Sequence, residues 1–168
     1  DKPIIDTTKT ILKGNHNYEN MMCAIITGIN LNISITSIKK TLENFKGVEH
    51  RIEYVNTING VKYYNDSKST NNMATTIALS AFHEPINLIL GGLDRGQDFL
   101  ELKDYMQNVK NVLCYGETKD KIKNFCDKIN ISCLVFNNLK ETVEKAKQIS
   151  LSGDIVLLSP ACASWDQY

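Results

Sequence analysis

The segment from Val61 to Asn72, VKYYNDSKSTNN, carries the side chains best suited to bind an anion. Val61–Tyr64 predicts a strand, and Met73–Phe82 predicts the helix that follows it. A helix N-terminus presents unpaired N–H groups and a partial positive charge. Lys68 adds a full positive charge there, and Asp66 adds an acceptor for hydroxyls or a metal. This strand–turn–helix pattern is therefore a candidate ligand site.

The same cluster also fits an ordinary helix cap that binds no ligand. In that interpretation Ser69 or Thr70 is the N-cap, and Asp66 lies near the first turn. Caps of this kind are common, so the segment alone leaves both interpretations open.

Four more polar clusters stand at predicted strand ends or helix starts. They are Gly14–Asn20 (GNHNYEN), His50–Glu53 (HRIE), Gly91–Phe99 (GGLDRGQDF) and Ser159–Tyr168 (SPACASWDQY). The carboxyl ends of parallel strands share one edge of a sheet, so the last two should converge with Asn65–Asn71. Their side chains would combine two cations with two hydroxyls: Lys68, Arg95, Thr70 and Ser164. Cations and N–H donors bind carboxylate or phosphate oxygens strongly, which suits a small dianionic ligand.

The elements that must position these clusters alternate regularly after residue 50. Arg51–Ile58 and Val61–Tyr64 flank Asn59-Gly60, which predicts an antiparallel hairpin. Helices are then predicted over residues 70–82, 98–107, 118–130 and 139–151, and strands over 86–90, 111–115, 132–136 and 154–159. This order predicts an α/β fold with a mostly parallel sheet and helices on both faces.

The first part of the chain does not show this alternation of strands and helices. Ile4–Thr10 is β-branched and predicts a strand or the tail of one. Apolar residues at helical spacing predict a helix over Tyr18–Ile29 with Asn17 as its N-cap, and a second over Ser34–Phe45 with Ser34 as N-cap. A domain boundary is expected near Gly47–Glu49, because the first 47 residues hold too little for an independent core.

Composition excludes several classes of protein. The 168 residues are 42% hydrophobic and 23% charged, and 19 basic residues balance 19 acidic ones. No basic stripe favours nucleic acid, and no apolar run approaches the roughly 20 residues of a membrane span. The five cysteines form no C-x-x-C pair and the three histidines have no metal-ligand spacing, which indicates reduced thiols, a cytoplasmic protein and no metal site in this chain.

Five strings of the sequence together resemble the C-terminal part of the Mur ligases, in the order and spacing of that family. They are GNHNYEN, HRIE, NDSKSTN, LILGGLDRGQDF and LLSPACASWDQY, and they span nearly the whole chain. The DSKST turn and the SPACASWDQY ending favour the member of the family that adds D-glutamate. The resemblance implies a Rossmann-like C-terminal domain over residues 48–168, truncated at its end. It also implies that residues 1–47 are the helical remnant of the central ATP-binding domain.

The resemblance further implies an activity for the whole protein. Mur ligases use ATP and Mg2+ to join an amino acid to a UDP-muramoyl precursor through an acyl phosphate. The substrates here would be D-glutamate and UDP-N-acetylmuramoyl-L-alanine, in the cytoplasmic synthesis of cell-wall peptidoglycan. The sequence contains no G-x-x-x-x-G-K-[ST] phosphate-binding loop, and the family carries most of its magnesium ligands on the central domain. We therefore expect the chain alone to be inactive and to need the rest of its polypeptide as a partner.

Individual site residues follow from the positions that match the family. Those expected to meet the nucleotide are Asn17 and Asn20 at the adenine, Arg51 at the phosphates and Asp66 at the ribose. Those expected to meet D-glutamate are Lys68 and Thr70, which also lie near the phosphates, together with Arg95 and Ser164. Arg95 stands where some relatives have lysine, so the contact geometry is expected to differ. None of these residues is a nucleophile, and Lys68 and Arg51 would act by positioning.

Three alternatives remain at this point. A sibling Mur ligase or a folylpolyglutamate synthase would share the architecture and differ in the amino acid used. A binding module without catalysis would sense a nucleotide or an amino acid. A dinucleotide-binding dehydrogenase domain is disfavoured, because no G-x-G-x-x-G follows an early strand.

Overall fold

A computed structural model describes residues 3–12 and 15–164 of the chain. Gly14 and Trp165–Tyr168, which belong to two of the predicted clusters, lie outside the described residues. The chain divides into two compact units, Asp1–Val48 and Glu49–Tyr168, and each unit is considered by itself. Within the described residues, every helix is too short or too polar to cross a lipid bilayer.

The first unit contains two helices, α1 (Asn15–Asn30) and α2 (Ile35–Asn44). Ser34 is the N-cap of α2, as predicted, and its hydroxyl accepts the Ser37 N–H. The small core between the helices is formed by Met21, Ile25, Ile38 and Leu42. Gly28 lets the two helices approach closely, because a Cβ there would lie 2.8 Å from Ile38 Cδ1.

Two predictions for this unit are wrong. Residues 4–10 form no strand; they contain a 3-10 turn at Thr7–Lys9, which the Asp6 carboxylate caps by accepting the Thr8 N–H. Asn17 is not an N-cap, because α1 begins earlier, at Asn15. At the 3-10 turn the Asp6 side chain decides the backbone, whereas β-branching was the signal used for a strand.

The second unit begins with an antiparallel hairpin of β1 (Glu53–Ile58) and β2 (Val61–Asn65). Asn59 and Gly60 both have positive φ, 52° and 79°. A two-residue turn with positive φ at both positions matches the twist of the flanking strands, which is why the Asn-Gly pair predicted this hairpin correctly.

Helices and strands then alternate to the end of the described chain. They are α3 (Asn72–Ser80), β3 (Ile86–Gly91), a 3-10 helix (Phe99–Tyr105), β4 (Val109–Tyr115), α4 (Lys119–Lys128), β5 (Ser132–Val135), α5 (Leu139–Ile149) and β6 (Ile155–Leu158). The α-helix predicted over residues 98–107 is wrong in type. Phe99 and Leu102 are buried three residues apart, a spacing that stacks side chains directly above one another in a 3-10 helix.

The six strands form one sheet in the order β1-β2-β6-β3-β4-β5, and all neighbours except β1 and β2 are parallel. On one face, Leu88 and Leu90 of β3 pack with α3, the 3-10 helix and α4. On the other face, Ile89 packs with Leu113 and with Ala146 of α5. The predicted Rossmann-like α/β fold, with helices on both faces and an antiparallel hairpin, is confirmed. Because β6 lies between β2 and β3, the loops that follow these three strands are neighbours.

Candidate functional site

The carboxyl edge of the sheet brings together three of the predicted clusters. Beyond the ladder, the Asp66 N–H donates to Leu158 O at 2.7 Å, and the Gly91 N–H donates to Pro160 O at 3.0 Å. Leu93 and Ala163 continue this contact as an antiparallel bridge. The described parts of the clusters after β2, β3 and β6 therefore form one continuous edge.

Two glycines allow the chain to leave β3 between its neighbours. Gly91 and Gly92 have φ of 129° and 146°, in the region that favours glycine. A Cβ at Gly91 would lie 2.0 Å from Tyr115 O, and one at Gly92 would lie 2.3 Å from Ala163 O. Glycine is required at both positions because the backbone of β4 and the backbone after β6 leave no room for a Cβ atom.

Asp66 lies at the centre of this edge and is only 1% exposed. One carboxylate oxygen accepts the Ile52 N–H at 3.0 Å, and the other accepts the hydroxyls of Ser69 and Ser159. Burial raises the pKa of Asp66, while the hydrogen bonds from Ser69, Ser159 and Ile52 act in the opposite direction. The carboxylate therefore joins the segment before β1, the turn after β2 and the exit of β6, and little of its surface is left for a ligand.

Lys68 and Thr70 are exposed in the turn that follows Asp66. The Lys68 N–H donates to His50 O at 3.1 Å, which fixes the backbone under the side chain. Within residues 3–12 and 15–164, Lys68 forms no ion pair, so its charge faces solvent. The predicted N-cap at Ser69 or Thr70 is wrong: Asn71 caps α3 by accepting the Ala74 N–H. The Ser69 hydroxyl instead donates to the buried Asp66 carboxylate and does not cap α3.

Arg51 is exposed between two residues whose backbone is firmly held. His50 and Ile52 have positive φ, 65° and 47°, which is uncommon for histidine and rare for a β-branched residue. His50 is anchored by its N–H to Glu53, and Ile52 by its N–H to Asp66. The guanidinium therefore projects from a rigid turn.

Arg95 and Ser164 are both exposed on the loops that follow β3 and β6. The Arg95 N–H donates to the Gln97 side-chain oxygen at 2.9 Å. Asp94 beside it pairs with Lys121, and that hydrogen bond holds the pKa of Asp94 below its usual range. Ser164 directly follows Ala163, whose carbonyl accepts the Leu93 N–H, so both loops are pinned close to their predicted ligand-binding residues.

Asn17 and Asn20 belong to the first unit, on α1, and no relation to the sheet edge is assigned to them. They lie three residues apart, which places them on the same side of the helix. Asn17 is half-buried and Asn20 is exposed.

Sequence reasoning missed two side chains that organise the edge. Thr118, at the start of α4, is fully buried and bonds both backbone groups of Gly92. Asn72 donates to Asp98 O and to the Glu101 carboxylate, which attaches α3 to the loop after β3. The sequence held one signal for Thr118, its position two residues after Gly116, just past the end of β4. The same position is equally typical of an ordinary N-cap. Among the described residues, no group of three or more His, Cys, Asp or Glu side chains is arranged to hold a metal ion.

Comparison with known proteins gives concordant results. Residues 50–162 match the family described as Mur ligase, glutamate ligase domain. The chain is 46% identical over 168 residues to the UDP-N-acetylmuramoylalanine–D-glutamate ligase of Shouchella clausii, and the match covers 100% of this chain and 37% of that protein. The chain thus spans little more than a third of the length of this curated relative.

Solved structures agree on the fold. UDP-N-acetylmuramate-alanine ligase MurC from Thermotoga maritima superposes with a TM-score of 0.71 at 18% identity, over 89% of this chain and 35% of that one. A bifunctional folylpolyglutamate synthase/dihydrofolate synthase with Mn, AMPPNP and L-glutamate bound superposes with a TM-score of 0.59 at 14% identity, over 78% and 33%. At these identities the likeness establishes the architecture only.

Proposed function

Because the chain belongs to the Mur ligase family, we propose that it is the C-terminal part of an ATP-dependent ligase that adds D-glutamate to UDP-N-acetylmuramoyl-L-alanine. The strongest support is the 46% identity to a D-glutamate ligase, which extends over the entire chain. The named activity of that relative and the exposed cations at the sheet edge agree, since an amino-acid dicarboxylate needs cationic partners. A cytoplasmic location is part of the proposal and is favoured by the free cysteines.

D-Glutamate is proposed to bind at the converging loops. Lys68 and Arg95 supply the charges for its two carboxylates, and Thr70 and Ser164 supply hydroxyl donors. All four side chains are exposed. Hydrogen bonds hold the backbone of Lys68, Thr70 and Arg95, and the residue before Ser164 is bonded to Leu93, so binding would require little ordering. Their role is to orient the amine and the carboxylates of the acceptor, which contributes to rate through positioning.

ATP and a divalent metal are proposed as cofactors, as in the relative that binds AMPPNP and Mn. When bound, ATP supplies the phosphoryl group that activates a carboxylate. Arg51 fits a phosphate contact, because it is exposed and its backbone is held on both sides. Asn17 and Asn20 are proposed for the adenine. The metal is assigned to the rest of the polypeptide, and residues 1–47, which lie within the first unit, are proposed to be the remnant of the central ATP-binding domain.

Asp66 fits a direct ribose contact less well than the sequence suggests. Its carboxylate is 1% exposed and already accepts three protein hydrogen bonds. We propose that it serves nucleotide binding mainly by holding Ile52, and with it the turn that carries Arg51. A ribose hydroxyl would need a change in this turn to reach the carboxylate.

The test is ligation by the full-length protein. Phosphate release is measured with ATP, Mg2+, UDP-N-acetylmuramoyl-L-alanine and each of several amino acids, and the product mass is recorded. We expect activity with D-glutamate alone. Activity with L-alanine, L-lysine or diaminopimelate on the corresponding precursor would instead assign a sibling ligase, and activity on a folate would assign a folylpolyglutamate synthase. No turnover with any of them, together with micromolar binding of D-glutamate or ATP, would favour a binding module.

A further inference from the structure

Three side chains link the loops after β3, β4 and β6 beneath the candidate site. Gln97 Nε2 donates to Cys162 Sγ at 2.8 Å, and Cys162 Sγ lies 3.5 Å from Thr118 Oγ1. Thr118 Oγ1 in turn accepts the Gly92 N–H at 3.2 Å and lies 3.1 Å from Gly92 O. Gln97, Cys162, Thr118 and Gly92 are here called the loop clamp.

The hydroxyl of Thr118 is committed to this clamp and not to its own helix. Thr118 is the N-cap residue of α4, yet its side chain makes no capping hydrogen bond. Threonine at an N-cap normally accepts an N–H from the first turn. Here the hydroxyl turns back to Gly92, and the Thr118 N–H also donates to Gly92 O at 3.1 Å. Helix α4 therefore lacks a side-chain cap, and the loop after β3 is held by the hydroxyl instead.

The donors and acceptors of the clamp form one consistent chain. Gln97 donates to the Cys162 sulfur, and the Cys162 S–H donates to Thr118 Oγ1. The Thr118 hydroxyl donates to Gly92 O while accepting the Gly92 N–H. Thr118 is 0% exposed and Cys162 is 1% exposed, so solvent cannot replace the bonds that join Cys162, Thr118 and Gly92. Loss of the hydroxyl would leave the buried Gly92 N–H without a partner.

The clamp touches both loops that carry proposed D-glutamate contacts. Gln97 accepts the Arg95 N–H at 2.9 Å through its other side-chain atom, so the backbone of Arg95 is tied to Cys162. Cys162 is followed by Ala163, whose carbonyl accepts the Leu93 N–H, and then by Ser164. The distance between Arg95 and Ser164 is thus set through Gln97, Cys162 and the Gly92 turn.

We propose that Thr118 is a positioning residue of the acceptor site: through the loop clamp it fixes the loops bearing Arg95 and Ser164 at the separation that a dicarboxylate amino acid requires. This inference rests on the proposed function for the identity of the acceptor. The nucleotide contacts proposed above, Arg51 among them, lie on other segments. Loosening the clamp should therefore weaken acceptor binding selectively.

The experiment compares three variants of the full-length ligase. Thr118→Val removes the hydroxyl and keeps the shape, and Thr118→Ser restores the hydroxyl. Thr142→Val is the matched control: Thr142 is also 0% exposed, and its hydroxyl donates to Asn138 O at 2.8 Å on α5, on the opposite face of the sheet. KM for D-glutamate, KM for ATP, kcat and the melting temperature are measured for each.

We expect Thr118→Val to raise KM for D-glutamate by about tenfold, with KM for ATP changed less than about threefold, since one buried donor loses its partner. Thr118→Ser should stay within about threefold of wild type, and Thr142→Val should lower the melting temperature without raising KM for D-glutamate. Equal rises in both KM values, or the same rise in Thr142→Val, would overturn the inference. If Thr118→Val does not fold, Gln97→Leu is measured instead; an unchanged KM for D-glutamate there would also overturn it.

Failure of the proposed function would look different. The wild-type protein would then turn over another amino acid, or none. In the first case, KM for that amino acid replaces KM for D-glutamate, and the same comparison decides the role of Thr118. In the second case, binding of D-glutamate to wild type, Thr118→Val and Thr142→Val is compared by calorimetry, and equal affinities would overturn the inference.

Discussion

Replacing Asp66 by alanine should destabilise the chain strongly, because three donors, two of them on buried serines, converge on its carboxylate. These donors are the Ile52 N–H and the hydroxyls of Ser69 and Ser159. The Ser159 hydroxyl has a second partner in Thr75 Oγ1 at 3.0 Å and can reorient. Within the described residues the Ile52 N–H bonds to Asp66 alone, and this bond holds a residue whose φ is positive.

The magnitude follows from these contacts. Hydrogen bonds to a charged group contribute about 1.5–3 kcal/mol each, and an orphaned buried donor costs about 1–3 kcal/mol. Removing the carboxylate also removes the cost of burying its charge, which is evident in the raised pKa of Asp66. We therefore expect Asp66→Ala to lower the free energy of unfolding by about 2–4 kcal/mol, well below the sum of the three bonds.

Urea denaturation of the wild type and three variants tests this reasoning. Asp66→Asn keeps the shape and one acceptor for Ile52, so it should cost about 1 kcal/mol. Asp127→Ala is the control: Asp127 is exposed and forms an ion pair with Lys123 one helical turn away, so its loss should cost less than about 0.5 kcal/mol. A loss for Asp66→Ala no larger than that for Asp127→Ala would refute the claim that Asp66 joins the three segments.

The same carboxylate predicts a pH dependence with a definite sign. Burial raises the pKa of folded Asp66 above its usual 3.8, with hydrogen bonds and Arg51 opposing the rise. The folded chain then binds this proton more tightly than the unfolded chain does. Wild type should therefore lose stability relative to Asp66→Asn as pH rises from 3.8 through the folded-state pKa. The quantity to follow is the free energy of unfolding of wild type minus that of Asp66→Asn. If this quantity stayed constant over the window, or rose with pH, it would contradict the raised pKa of folded Asp66.

Three further predictions concern the edge of the sheet, and a fourth concerns the isolated chain. Gly91→Ala should abolish folding or lower the free energy of unfolding by more than about 3 kcal/mol, because its Cβ would lie 2.0 Å from a backbone oxygen. Gly96→Ala has open space around the Cβ and should lower it by about 1 kcal/mol. Equal melting temperatures for the two variants would contradict this prediction. Lys68→Met in the full-length protein should raise KM for D-glutamate at least about tenfold, while Lys140→Met on exposed α5 surface should leave it unchanged. Arg95→Lys should lower the affinity for D-glutamate by about tenfold at most, because it keeps the charge and loses the planar fork; Arg95→Met, which loses both, should lower the affinity further. The isolated chain should release no phosphate from ATP with both substrates present, and turnover above background would refute its proposed dependence on the rest of the polypeptide.

Local signals were sufficient for most of the fold. Hydrophobic runs separated by helical patterns predicted the parallel sheet, and Asn59-Gly60 predicted the hairpin. The convergence of the three clusters also followed, because strand ends share an edge in any parallel sheet. These features depend on the chain's own periodicity, which is visible residue by residue.

The errors arose where a distant group redirected a local preference. Ser69 is a good N-cap by type, but Asp66 and the exit of β6 draw its hydroxyl away, so Asn71 caps α3. Thr118 reads as a cap and instead anchors Gly92, which lies 26 residues away in sequence. Such choices are set by tertiary contacts, which propensity cannot anticipate.

The position of β6 has a consequence for how the protein is made. The last strand of the described residues, Ile155–Leu158, lies between β2 and β3, two of the earliest. Because β6 pairs with both β2 and β3, these two early strands cannot reach their positions in the sheet until β6 has been synthesised. Asp66 gains Ser159 as a partner only at that moment. Folding dominated by such long-range pairing is slow, so the loops after β2, β3 and β6 should come together late in folding.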